Sequence, residues 1–316
     1  MKAAVRYLIC GVGHAVLNMF LLIVTPRSVY AQKESMVRIG LDNDFFAYQK
    51  EDGAYTNGLM IDYITQQRDS TDIFRASQYS LTQIMITPNS ISSTTPPPGD
   101  YPYSGSILLS YKTSSIDASE KHISTTSYIV GIMGPYSLAG QTQTTVHKAI
   151  HDGLPKGWDS QYGTTVMLNI NWSDERGIPN LPRQIAMTGK TEVYVGTIIT
   201  GAAVQGSIRF GLMNPYFESI TGRHVANRQK RMLCYLHSSF KAQAVASNTL
   251  LTGNISPNGY SDDKNVRIKH LVYYSELGLD LSYLFLGLSL TYKTHSGLIV
   301  GQPTKPYGNV SLTVRI

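Results

Sequence analysis

The sequence predicts an all-β chain: a closed antiparallel transmembrane β-barrel of about 12 strands, with a short helix in an extracellular loop. Three observations predict it. After residue 31 no apolar run approaches the roughly 20 residues that a membrane helix needs. What recurs instead is period-two alternation over segments of about ten residues, as expected of strands with one face in lipid and one in a polar interior. Finally, 21 tyrosines stand against 8 phenylalanines in a chain with only 15% charged residues, a balance that suits membrane interfaces better than a soluble core.

The first 31 residues read as a secretory leader. Lys2 and Arg6 precede an apolar run from Tyr7 to Val24, and Val29-Tyr30-Ala31 sets small residues before a cleavage point after Ala31. A transmembrane anchor is the competing reading, but Gly11, Gly13, His14 and Asn18 dilute the run. The chain therefore divides into a leader, 1–31, and a barrel domain, 32–316. Removing the leader lowers the formal charge from +6 to +3, too small a surplus to point to nucleic acid. Cys10 leaves with the leader, so Cys234 stands alone and no intrachain disulfide can form.

The strands follow in order. Val37, Ile39 and Leu41 mark the first, and Leu59, Ile61 and Tyr63 the second, with a third near 77–87. Ile107, Leu109 and Tyr111 mark the fourth, and Tyr128, Val130 and Ile132 the fifth. In the sixth, Val166, Leu168, Ile170 and Trp172 share one face while Asn169 and Asn171 take the other, as a polar interior requires. Six more fall near 183–195, 198–211, 231–245, 267–279, 282–295 and 307–316, the last with Val310, Leu312, Val314 and Ile316 on one face. An even count suits a closed barrel with both ends in the periplasm. A secreted β-sandwich shares the alternation but accommodates so many tyrosines and strands less well.

In such a barrel the connections 1–2, 3–4 and 5–6 emerge together on the outer side. They are Tyr48 to Ala54, Pro88 to Tyr103 and Gly134 to Gln161. The basic segment Arg223 to Arg231 has no assigned side and reads as solvated surface.

Those three connections hold nearly every candidate functional residue. Asn43 shares parity with Val37, Ile39 and Leu41, so pleat geometry points it outward at the upper rim. Oxygens of Asn43, Asp44 and Thr56, with backbone carbonyls and water, form a candidate site for a hard cation such as Ca2+, which takes roughly six to eight oxygens. Asn43 and Asp44 also fit as plain turn formers. The run from Ser137 to His151 reads as a short helix, on which His147 is a candidate general base, titrating near about 6.5 when unperturbed. His147 and His151 stand four apart, a zinc-compatible spacing that lacks the glutamate of the usual zinc-protease motif. His122 with Ser124, and His237 with Ser239, offer a serine-nucleophile reading similar to outer-membrane phospholipase A, though neither is followed by the Asn of that enzyme.

Taken in order, Asn43-Asp44-Phe45-Phe46, Asp52, Tyr55-Thr56-Asn57-Gly58-Leu59, Gly134-Pro135, Gln143, His147 and Gly157-Trp158-Asp159-Ser160-Gln161 resemble the outer-membrane lipid A 3′-O-deacylase family. The resemblance continues more loosely through Asn248 to Gly253 and Tyr307-Gly308, so it covers essentially the mature chain. It implies a twelve-stranded, Ca2+-dependent barrel in the outer membrane, acting on lipid A of lipopolysaccharide; a monomer is expected. In that scheme His147 activates water, and a cation near Asn43, Asp44 and Thr56 stabilises the oxyanion. Two positions depart from the family pattern. Gly153 stands where a glutamate is expected six residues after the histidine, with Asp152 the nearest acidic substitute, and the loop Pro88 to Tyr103 holds no lysine. A non-catalytic barrel, either a porin or a surface-binding protein, is the alternative.

Overall fold

Alternation has a direct structural consequence here. In the computed structural model, which describes residues 34–47, 53–68, 73–218, 232–255, 260–261 and 265–316, twelve strands pair antiparallel with their sequence neighbours, and the last pairs with the first. They are β1 (Glu34–Asn43), β2 (Ala54–Arg68), β3 (Ile73–Thr87), β4 (Ser104–Asp117), β5 (His122–Met133) and β6 (Thr165–Gly177), followed by β7 (Ile185–Gly196), β8 (Ile199–Leu212), β9 (Leu233–Asn248), β10 (Leu271–Tyr283), β11 (Leu286–His295) and β12 (Lys305–Arg315). Closure leaves the barrel sheet without an unpaired edge. The leader reading, residues 48–52 of the acidic loop and the basic segment Arg223 to Arg231 lie outside the described residues.

The outer wall is apolar. On β6, Val166, Leu168, Ile170 and Trp172 are all exposed, whereas Asn169 between them is 3% exposed. The barrel wall thus turns its hydrocarbon to the surroundings and its amides to the lumen, the inverse of a soluble domain. Asn169 binds the turn after β7, accepting from Ile198 and Ile199 N–H and donating to the Ile199 carbonyl.

Inside, charges are paired, as buried charges must be. Arg38 meets Asp62 at 2.6 Å and Lys190 meets Glu192 at 2.7 Å. Apolar layers cap this polar lumen at both ends. On the long-loop side, Tyr101, Leu250, Leu251, Val266, Ile268 and Ile299 pack together. The Tyr101 hydroxyl accepts from Leu298 N–H, and burial pushes its pKa up to about 12, so it stays a neutral phenol. On the side of the chain ends, Tyr216 and Phe217 from the β8–β9 connection pack against Met36, Ile64, Ile116 and Ile123. There the Tyr216 hydroxyl donates to Glu175 and Arg209 lies over the Tyr216 ring.

Strand boundaries depart from expectation in two places: β3 begins at Ile73, four residues before the predicted 77, and the region around β10 is rearranged. Val266–Arg267 do not enter the barrel, because they pair with Tyr260–Ser261 in a small separate sheet, and β10 begins only at Leu271. The following turn is the apolar pair Leu284-Phe285, with Leu284 at φ 54°. No Gly, Asn or Pro marks that reversal, so the predicted strand 282–295 shortens to 286–295.

Candidate functional site

β1 runs without a bulge to Asn43, which pairs with Asn57 on β2 and Gly308 on β12. Asn43 therefore keeps the outward parity of Leu41, and Asp42 points inward. The next four residues, Asp44–Ala47, form a single 3-10 turn, begun by Asn43 Oδ1 accepting from Phe45 N–H at 2.8 Å. Asp44 is buried on that turn.

On β2 the register against β3 slips between Tyr55 and Asn57, leaving Thr56 as the extra residue of a bulge. The slip turns Tyr55 into the lumen, where its hydroxyl donates to Asp42 Oδ2 at 2.8 Å. Asn309 and Lys293 donate to the other Asp42 oxygen. A Cβ on residue 58 would sit 1.9 Å from the Tyr55 hydroxyl, so only glycine lets that phenol pass. The Tyr-Thr-Asn-Gly motif is thus partly scaffold: it shapes the rim beside Thr56, which is 2% exposed and shares a 2.5 Å hydrogen bond with Thr87.

The second half of the site is α1 (Ala139–Ile150). Pro135 opens a 3-10 turn, Leu138 adopts a left-handed conformation, and α1 then docks on β3 and β4. Gln83 donates to the Ser137 carbonyl at 2.7 Å, and Trp158 Nε1 donates to Gln143 Oε1 at 2.7 Å while its ring packs on Tyr103. A Cβ on residue 105 would meet the Ala139 Cβ at 2.3 Å, so a glycine in β4 sets how closely the helix approaches. Gln143 and Trp158 hold the helix in place.

This seating buries His147, whose Nδ1 lies 2.6 Å from the Gly153 carbonyl. A carbonyl only accepts, so Nδ1 carries the proton and Nε2 is left as an acceptor. Asp152 is placed differently from the expected acidic partner. Its Oδ2 is 3.8 Å from Nδ1, its side chain is 65% exposed, and its Oδ1 accepts from Gly153 N–H. At position 153, where a glutamate is expected, it is the main-chain carbonyl of the glycine that contacts the histidine.

The metal-binding and serine alternatives take a different course. α1 ends at Ile150, and His151 is a left-handed C-cap at φ 61°, so it leaves the helical face carrying His147. Among the described residues no group of three or more His, Cys, Asp or Glu side chains gathers as a metal site. His122 pairs with Asp174 near the short-turn end of the barrel, and His237 pairs with Asp280 in the lumen. Ser239 donates to Glu276, and neither histidine bonds its neighbouring serine.

Asn43, Asp44 and Thr56 thus gather on the β1–β2 rim, while His147 stands on the β5–β6 loop above β3 and β4. Among the described residues no hydrogen bond or ion pair joins His147 to the other three. The loop 88–103 lies between these groups and is closed by Asp100 accepting from Asn89 and Tyr101. Lys156 donates its N–H to the Ile91 carbonyl, which brings a lysine from the neighbouring loop to this lysine-free one. Sequence reading missed Asp42 and the Gly153 carbonyl. The first had a signal, an acid at inward parity on a strand; the second had none, since a carbonyl is present at every position.

The family model for outer membrane protein LpxR matches residues 16–316. The chain belongs to the LpxR family. Membership agrees with the closed twelve-stranded wall and places the barrel in the outer membrane. LpxR from Salmonella typhimurium superposes with a TM-score of 0.72 at 14% identity, covering 88% of this chain and 99% of that one, which shows a shared fold. The β domain of the Bordetella autotransporter BrkA aligns at a TM-score of 0.47 and 10% identity, over 89% of this chain and 98% of its own. The translocator domain of NalP from Neisseria meningitidis aligns at 0.45 and 8%, over 100% and 97%. No curated protein matches the chain.

Proposed function

We propose that this LpxR-family barrel is a lipid A 3′-O-deacylase, a carboxylic ester hydrolase that removes the 3′-linked acyloxyacyl chain of lipopolysaccharide, with His147 as general base. The observation that carries the reading is the 2.6 Å contact between His147 Nδ1 and the Gly153 carbonyl. It commits one nitrogen and leaves Nε2 to accept a proton from water. Water oxygen bonds to the ester carbonyl carbon as its proton passes to Nε2. The tetrahedral intermediate then breaks the bond to the 3′ oxygen, which takes that proton back from His147. The products are a fatty acid and a free sugar hydroxyl, and no acyl-enzyme forms.

Asn43, Asp44 and Thr56 offer an amide oxygen, a buried carboxylate and a hydroxyl, a donor set of hard oxygens that fits Ca2+ rather than zinc. Bound there, Ca2+ supplies positive charge for the oxyanion of the intermediate. With the Asn43 and Thr56 oxygens also in protein hydrogen bonds, backbone carbonyls and water would complete the set. The leader is removed after Ala31 on export, and since the closed wall needs no second chain to pair a strand edge, the protein acts as a monomer in this reading.

The test is mass spectrometry of lipid A incubated with the detergent-folded protein, in calcium and in chelator. Calcium-dependent loss of one acyloxyacyl unit is expected. An unchanged spectrum in calcium, with a known deacylase active alongside, overturns the reading.

A further inference from the structure

The outer wall formed by β1 to β6 is concave. A groove of about 810 Å3 crosses it, lined by Ile61, Tyr63, Tyr79, Leu109, Tyr111 and Tyr128 among others, within the roughly 300–1,000 Å3 range of ligand sites. These six strands are also the ones whose outer connections carry Asn43, Asp44, Thr56 and His147.

Four of the lining tyrosines stand in one row of directly opposed residues: Tyr63 faces Tyr79, Tyr79 faces Tyr111, and Tyr111 faces Tyr128. Such a row runs at right angles to the strands. With a strand tilt of about 40° and spacings of about 4.8 Å, its two ends differ in membrane depth by about 9 Å. An aromatic girdle stays level with the interface, so this row is not one. Tyr111 shares a 3.3 Å hydrogen bond with Ser77, while the hydroxyl groups of Tyr79 and Tyr128, both half-exposed residues, have no hydrogen bond to protein among the described residues. A phenol facing hydrocarbon without a partner is costly, and a polar atom within the ligand's chains relieves that.

We propose that this groove seats the acyloxyacyl chains of the substrate, with the tyrosine row donating to the secondary ester that such chains carry within the hydrocarbon layer. The proposal rests on the lipid A hydrolase reading. The lumen offers no rival berth, because it is charged in the middle and capped by apolar layers at both ends. A chain in a concave wall touches protein on several sides and gains dispersion contacts that a convex wall does not provide. A phospholipid chain lacks the secondary ester, so the row also discriminates between the two lipids.

The experiment uses Leu109→Trp in the groove and Leu236→Trp on β9 outside it, both in a Trp172→Phe background that leaves only the buried Trp158. Each is reconstituted in vesicles titrated with lipid A carrying brominated chains, or with brominated phospholipid, and tryptophan quenching is followed. Lipid A is expected to half-quench position 109 at a mole fraction about tenfold lower than position 236, a preference that one or two hydrogen bonds to the secondary ester suffice to supply. Tyr79→Phe with Tyr128→Phe is expected to remove most of it while preserving the groove. Equal quenching at the two positions, or the same preference with brominated phospholipid, overturns the proposal. Because quenching needs no turnover, an active enzyme with equal quenching sinks the groove alone, and an inactive one with the preference sinks the hydrolase reading alone.

Discussion

A histidine works as a base when one ring nitrogen is held and the other is open, and in this chain a main-chain carbonyl does the holding. His147→Ala should therefore lower kcat by about 10²–10⁴, the usual contribution of a general base. The folded barrel should persist, seen as a retained heat-modifiable band on a gel; full activity of the variant removes the base assignment. Asp152 gives the opposite expectation. Its carboxylate is mostly exposed and stands beyond hydrogen-bond reach of Nδ1, and exposed charges at such range contribute about 0–1 kcal/mol. Asp152→Asn should change kcat/KM by no more than about fivefold; a loss near that of His147→Ala makes the carboxylate, not the Gly153 carbonyl, the orienting group.

At the level of elements, two glycines set the geometry that the functional side chains depend on. A methyl at position 58 collides with the Tyr55 hydroxyl and breaks its bond to Asp42, so Gly58→Ala should destabilise the barrel by about 1–3 kcal/mol, the range for overpacking, read as a lower urea midpoint. A side chain at position 105 meets Ala139 and lifts α1 from β4. Gly105→Val should cost activity while the barrel keeps its unfolding midpoint, and a fully active variant shows that the seating of α1 does not matter. The strands themselves were legible because alternation at period two is written in every one of them, and even the outward parity of Asn43 follows from Val37, Ile39 and Leu41. The β10 and β11 boundaries were not, since Leu284-Phe285 turns the chain without a turn residue and Val266-Arg267 continues the pattern in a different sheet. The site was legible as a set of residue types, but the bulge at Thr56 depends on pairing with β3, and no single segment encodes it.

For the whole molecule, a pore and an enzyme that uses its outer wall demand opposite interiors. A twelve-stranded barrel has room for a water path only if its lumen stays open. Here Tyr101 and Leu251 lie fully or almost fully buried in the layer that closes the long-loop end, and Tyr216 and Phe217 close the other. An ion entering from either side meets hydrocarbon and aromatic rings before it reaches the paired charges of the middle, and crossing an apolar layer without partners is prohibitive for a charge. In a planar bilayer the protein should therefore show no steady porin-like conductance. Tyr216→Ala with Phe217→Ala opens one cap alone and should leave the bilayer silent. Adding Tyr101→Ala and Leu251→Ala removes side chains from both layers and should produce current. Steady conductance from the unaltered protein would move the functional site into the lumen and restore the channel reading.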